Sequence, residues 1–321
     1  MQLVWAMDRS MMLAYHPDVN GMISHLRRNW QRATTRRHAV RFARAARHLH
    51  GPKPDNVPPD AIVVLVPRWR VGDLEAFHAH YRALGASHFV FFASGTPAAV
   101  LAQIKALPGS IIVENGLRVS VPEPRVLAYL ADTYGANRWC LMVHSDELLA
   151  FASDGTLELR GLTGYLEARG ATALRAHRLA MFPNGALGSL TSLNLQQKIA
   201  ECVYFYLSSL HLGADQAGTP SGSRKSYLDA DGVPASCTPL IYNGPDATVA
   251  FECGTPCAGR FGDVTAVLKS YAQATELGYD APDASLFSLT ARRWNRAELL
   301  VRAGFIESSA AYEAWAPEVR E

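Results

Sequence analysis

No run of eighteen or more apolar residues occurs in the 321-residue chain, so nothing in it is long enough to span a bilayer as a helix. Its first residues, MQLVWAMDRSMML, lack a basic stretch ahead of a long apolar one and lack a small-residue cleavage site. The expectation is that no secretory signal is present. G-x-G-x-x-G does not follow the first apolar run, which argues against a dinucleotide enzyme. G-x-x-x-x-G-K-[ST] is missing too, which argues against a P-loop enzyme. Cysteine is sparse, with only Cys140, Cys202, Cys237, Cys253 and Cys257. So thin and odd a set points to free thiols in a reducing compartment. Cys253 and Cys257 form a C-x-x-x-C pair, but no second Cys/His pair sits at a matching spacing, so buried thiols rather than zinc ligands are expected. These absences make the cytoplasm the expected address. Internal repeats and low-complexity tracts are also missing.

What the chain does contain is ordinary for a globular protein: 49% hydrophobic and 19% charged residues. The net charge of +2 is unevenly spread. Residues 1 to 50 hold nine arginines against Asp8 and Asp18, so this segment carries +7 and the remainder −5. A basic arm on a mildly acidic body suits contact with phosphates, anionic lipid or a partner. Residues 22 to 49 have no Pro or Gly and read as helix. One reading is a solvated helix packed on the body through Trp30 and Phe42. The other is an interfacial helix on anionic membrane, peripheral at the inner membrane surface. Nucleic acid is not an expected partner, because stacking aromatics do not interleave with the basic residues.

GPKPDNVPPD (Gly51 to Asp60) is a Pro-rich break. The expected organisation is a basic helical segment over 1–55, an α/β domain over 56–215, and a C-terminal helical region over 216–321 packed on the same domain. AIVVLV (61 to 66) is a β-branched run of the kind found in buried parallel strands. Asp73 is positioned as the N-cap of a helix with Leu74, Phe77, Tyr81 and Leu84 on one face, stopped by Gly85. Strands at 88–92, 110–113 and 139–143 then alternate with helices at 97–107 and 122–134. That alternation predicts right-handed crossovers and a mainly parallel sheet flanked by helices. Further on, a helix is expected near 162–168, a strand near 173–179 and a long helix over 193–210. A hairpin is expected over 239–252, turning at Asn243-Gly244, and helix again from Asp263.

Ligands in open α/β sheets bind at the carboxyl ends of the strands. Three such ends stand out: Pro67 to Arg70, Ala93 to Thr96 with Ser94 and Gly95, and His144 to Glu147. At the last, a buried strand delivers two adjacent carboxylates, Asp146 and Glu147. Carboxylates beside a hydrophobic strand need a partner, and a divalent cation on a diphosphate is one answer. The other is that Asp146 caps a turn and Glu147 is solvated. Both remain open from composition.

Three longer segments narrow the choice. EAFHAHYRALGASHFVFFASGT (75 to 96), WCLMVHSDELLAF (139 to 151) and GYLEARGATALRAHRLAMFPNGALGS (164 to 189), with LLVRAGFIESSAAYEAW (299 to 315), resemble the family 2-like glycosyltransferases of bacteria. In that family the first strand ends in a basic-Asn-Glu motif before E-W-x-x-Y-H-x-x-L-G. The second strand ends in D-N-x-S-x-D, and a later one reads W-x-L-x-x-D-x-D-E-F-L. The resemblance covers roughly residues 60 to 315.

The resemblance implies a GT-A-like, Rossmann-like α/β fold and transfer of a sugar from a nucleotide-sugar donor to a glycan or lipid-linked acceptor. Within it, Arg68 matches the basic residue, while Trp69 and Arg70 stand where Asn and Glu are usual. Ala93 and Ala98 stand where two Asp residues are usual, and His144 replaces the first Asp of the metal motif. Carried over residue by residue, the donor would meet Arg68, Arg70, Ser94, Gly95, His144 and Glu147. Asp146, with His144, would bind Mn²⁺ or Mg²⁺. No catalytic base is assigned. Losing two charge-assisted contacts of roughly 1.5–3 kcal/mol each weakens donor binding by about two to four powers of ten unless the arginines compensate. The alternative is a non-catalytic relative binding glycan or a partner enzyme.

Overall fold

A computed structural model describes residues 41–116, 121–151, 158–181, 193–202, 204–206, 236–244, 266–271 and 291–293. The chain divides into two compact units, Met1–Ala46 and Arg47–Glu321, and the second carries the site. Its strands are β1 (Ala46–His50), β2 (Val63–Val66), β3 (His88–Phe92), β4 (Ser110–Asn115), β5 (Trp139–Met142), β6 (Glu147–Phe151), β7 (Ala173–Ala180), β8 (Tyr204–Tyr206), β9 (Ser236–Tyr242), β10 (Ala266–Ser270) and β11 (Ala291–Arg293). Its helices are α1 (Leu74–Ala83), α2 (Ala98–Ala106), α3 (Glu123–Tyr134), α4 (Leu159–Ala168) and α5 (Leu195–Glu201).

Nine strands form one sheet in the order β1-β4-β3-β2-β5-β9-β7-β10-β6. The block β4-β3-β2-β5 is parallel throughout. Val63 to Val66 are fully buried, as a strand covered on both faces must be. Alternate residues separate the two faces. Val64, Val66, Phe89 and Phe91 join the main core with Phe77 and Tyr81 of α1. On the other face α3 approaches so closely that a side chain at Gly135 would meet the Cys140 thiol. Gly85, the expected stop of α1, has φ +88°, a conformation that favours glycine.

Beyond β5 the sheet is mixed, not mainly parallel. β9 runs antiparallel to both its neighbours, β5 and β7. β10 is parallel to β7 and antiparallel to β6. β8 and β11 make a separate antiparallel pair. The architecture is therefore α/β with a large mixed sheet.

Several expectations need correction. Residues 41–45 are helical, but 46–50, expected to continue that helix, form β1 at the sheet edge beside β4. There the edge ladder satisfies backbone groups that the helix would otherwise bond. Residues 22–40 lie outside the described residues. The helix expected over 193–210 ends at Glu201, and aromatic Tyr204–Tyr206 pairs as a strand instead. Residues 239–242 belong to β9, which is inserted between β5 and β7; the expected second arm of the hairpin lies outside the described residues. Asn243 is tied to the body, its backbone N–H donating to Arg138 O and its side chain to Ala131 O. The helical tail expected from Asp263 holds two strands, β10 and β11. β6 was not anticipated. Among the described residues no helix is long and apolar enough to cross a membrane.

Candidate functional site

From β2 the chain leaves through α1 to β3 on one side, whereas β5 lies on the other side of β2. Connections that part in this way open a crevice at the carboxyl ends of the two strands. Two loops line it, Pro67 to Asp73 and Val143 to Asp146. Backbone and side chain lock them together. Val143 N–H donates to Leu65 O at 3.2 Å and Ser145 N–H to Arg68 O at 3.2 Å. The buried Ser145 hydroxyl accepts the Arg70 N–H at 2.9 Å. Trp69 donates from Nε1 to Phe92 O at 2.8 Å, joining this loop to the end of β3.

Glu147 opens β6 and is only 2% exposed, so it is not solvated. Oε2 accepts the His144 backbone N–H at 2.9 Å, and Oε1 lies 3.0 Å from Arg178 Nη2 on β7. Burial alone would raise its pKa, but Arg178 and then His144 bring the carboxyl below the ordinary glutamate value. The His144 ring bridges two acids. Nε2 is 2.7 Å from Glu123 Oε1, at the first turn of α3, and Nδ1 is 3.7 Å from Glu147 Oε2. Burial would lower the His144 pKa; Glu147, Glu123 and Asp146 override it and raise it to about 9. His144 is thus an imidazolium at neutral pH, and Nε2 donates. Glu123 is itself held low: burial pushes up, but the bond from His144 and the charges of His144, Arg68 and Arg178 prevail.

Asp146 sits differently. It is 3% exposed, and among the described residues its buried Oδ1 has no hydrogen-bond partner. Burial, reinforced by the Glu147 charge, raises its pKa to about 6, against a partial pull from His144. Asp73 and Lys198 lie within electrostatic range of it. Asp73, expected as an N-cap, makes no side-chain capping bond. Its Oδ1 is instead 3.4 Å from Lys198 Nζ of α5, and its Oδ2 is 3.9 Å from Arg70 Nε. Both Asp73 and Lys198 are fully buried.

The raised Asp146 pKa has a thermodynamic sign. Between about pH 4 and 6 the unfolded chain releases this proton first, so stability falls as pH rises, and the full penalty applies above about pH 6. Asp146→Asn is expected to stabilise the fold at about pH 8 by on the order of 2–3 kcal/mol, with the gain fading toward pH 4. Urea unfolding at a series of pH values reads this directly. A variant less stable than the parent at pH 8 would refute it. A side chain that weakens the fold where it stands is a mark of functional sites.

A cavity of about 130 Å³ opens beside these groups. Its polar wall is Glu123, His144, Glu147 and Arg178; Leu127, Met142 and Leu268 contribute an apolar wall. Whole-ligand pockets are larger, roughly 300–1,000 Å³.

Of the residues expected at the site, His144, Glu147 and the Arg68–Arg70 loop come together at the crevice, with Asp146 beneath. Arg68 is exposed and close enough to Glu123 to lower its pKa. Arg70 is drawn toward Asp73, the acid three residues on. Ser94 and Gly95 form an exposed turn after β3, Gly95 at φ +68°, and do not line the cavity. Glu123, Arg178, Asp73 and Lys198 were not singled out as site residues. Their one signal in the sequence is a charged side chain inside or capping an apolar element.

The expected metal donors fit poorly. The His144 ring nitrogens face Glu123 and Glu147. Glu147 is engaged by Arg178 and the His144 N–H. Among the described residues the buried Oδ1 of Asp146 has no hydrogen-bond partner, and no three His, Cys, Asp or Glu groups gather to hold a metal ion. Cys253 and Cys257 lie outside the described residues; Cys140 and Cys202 are buried free thiols.

No protein-family model, no curated protein and no solved structure matches the chain.

Proposed function

We propose that this chain is a glycosyltransferase-like protein with a GT-A-like domain that binds a nucleotide-sugar at the crevice between β2 and β5. The observation carrying this reading is the switch point itself. It gathers Arg68, Arg70, His144 and the Asp146-Glu147 pair at two adjoining strand ends, where ligands of open α/β sheets bind. Arg68 and Arg70, on the loop at that rim, suit a diphosphate, since arginine recognises phosphate oxygens through a two-pronged fork. The acceptor, a glycan or lipid-linked glycan, and an address on the cytoplasmic side of a membrane follow from the resemblance and the basic arm.

In this reading Ser145 fixes the spacing of the two loops, and Glu147 holds the His144 backbone and Arg178 in position. Asp146 lies beneath the donor as a desolvated carboxylate. No step is routed through a metal ion, because the donor set does not fit one.

Calorimetry with UDP, GDP and their common sugars, with and without Mn²⁺, tests the proposal. Binding is expected in chelator, weakened about 10- to 100-fold by Arg68→Ala, the equivalent of roughly 1.5–3 kcal/mol. The absence of binding by any nucleotide at millimolar concentration would sink it. Arg68 is exposed, so its loss leaves the fold intact.

A second reading, binding without transfer, is favoured by one observation. Both cavity carboxylates are already matched to cations, so neither is poised as a base for an acceptor hydroxyl. Release of free nucleotide from a bound nucleotide-sugar in the presence of acceptor separates the two readings.

A further inference from the structure

We infer that the cavity lined by α3, β5, β7, β9 and β10 receives an uncharged, hydroxyl-rich ring, a neutral sugar, and discriminates against sugars bearing a carboxylate or phosphate. The inference builds on the carbohydrate reading of this site and adds the charge class of what enters the cavity.

Charge balance is the first ground. Two carboxylates, Glu123 and Glu147, face two cations, His144 and Arg178, and each acid is matched within 3.0 Å. An anionic ligand competes with Glu123 and Glu147 for His144 and Arg178. Glu147, whose side chain is 3% exposed, would then be left charged, buried and uncompensated. A cationic ligand would compete with the same two cations for the same acids. A neutral hydroxyl breaks no pair. It donates to a carboxylate or accepts from a cation at positions the existing bonds leave over, since a carboxylate has about four acceptor sites.

Accessibility is the second. The Glu123, Arg178 and His144 side chains are 38%, 24% and 21% exposed, so their outer atoms reach a ligand, while Glu147 stays behind them as the anchor. Shape is the third. Leu127, Met142 and Leu268 supply apolar surface for the C–H face of a ring, and the same cavity supplies polar groups for its hydroxyls. At about 130 Å³ the space suits a single ring rather than a whole nucleotide-sugar.

The test uses the full-length protein and saturation-transfer NMR. The probes are the methyl glycosides of glucose, galactose, mannose and N-acetylglucosamine, with methyl glucuronide, glucose 6-phosphate and inorganic phosphate as anions. At least one neutral glycoside is expected to bind tenfold or more tightly than every anion. Glu123→Gln retains a hydrogen-bonding partner for His144 but leaves the cavity one negative charge short. It is expected to shift the neutral-to-anionic ratio toward anions by at least tenfold. A parent protein that prefers an anion, binds none of the neutral glycosides at tens of millimolar, or keeps its ratio in Glu123→Gln overturns the inference. The ratio in the parent protein is decisive without any variant. Nucleotide binding is scored separately. UDP bound with no sugar bound overturns this inference alone, and sugar bound with no nucleotide overturns the donor reading alone.

Discussion

Arg178→Ala is expected to remove about 3–5 kcal/mol of folding stability, the usual loss when one partner of a buried ion pair is deleted. The magnitude comes from Glu147 rather than from the arginine. Arg178 retains partial contact with solvent, whereas Glu147 is sealed at the start of β6 with one oxygen 3.0 Å from the guanidinium. Without Arg178 the carboxylate keeps, among the described residues, His144 and the His144 backbone N–H as favourable partners, with Glu123 as a repulsive neighbour. Its pKa must then rise, and the folded state pays for a proton at neutral pH. A second substitution, Glu147→Gln, is expected to recover part of the loss, because a neutral amide needs no counter-charge. Urea unfolding of the two single variants and the double variant measures this as a cycle. A single-variant loss below about 1 kcal/mol, the range of exposed pairs, would place the pair at the surface in energetic terms and contradict its burial.

The second large effect is expected at Lys198→Met. Lys198 and Asp73 are fully buried and come from elements 125 residues apart, α5 and the entry to α1. Methionine approximates the lysine stem, so packing changes little and the loss reports charge. With Lys198 gone, Asp73 retains only Arg70 at 3.9 Å, and a fall of about 3–5 kcal/mol is expected at pH 7. The pH dependence identifies the cause. Burial already raises the Asp73 pKa above its ordinary value, and the substitution raises it further. A carboxyl whose folded pKa lies above its unfolded one favours the folded state more as pH falls. The difference between Lys198→Met and the parent is therefore expected to narrow on acidification. A difference constant with pH would assign the loss to packing instead.

These pairs also explain which features could be read from the sequence. The block from Ala61 to Val143 was legible because each strand is a short apolar run and Gly or Pro punctuates each turn. β6 was not, since ELLAF follows the apolar strand WCLMV with only His-Ser-Asp between, too little polar sequence to mark a turn. β8 escaped because no Gly or Pro separates Tyr204 to Tyr206 from α5, and periodicity does not separate a buried helix from a buried strand. Asp146 and Glu147 were legible from their position at a strand end. Their partners were not, because Glu123, Arg178 and Lys198 arrive from elements without any fixed spacing. Only the pairing of β6, β10 and β7 carries Arg178 to Glu147.

That pairing depends on β10, and the union of the two blocks of the sheet depends on β9. Residues 236–242 form the bridge between the parallel block ending in β5 and the block containing β7, and they are made nearly a hundred residues after β5. A chain emerging from the ribosome can complete β2 to β5 from neighbouring segments, but it cannot join the two halves until β9 has appeared. Long-range strand insertion of this kind slows folding and leaves two sheet edges open meanwhile. The crevice loops are early products of synthesis. The cavity wall bearing Arg178 takes its final place late, and a chain arrested before residue 266 would hold Glu147 without the strand that brings Arg178 to it.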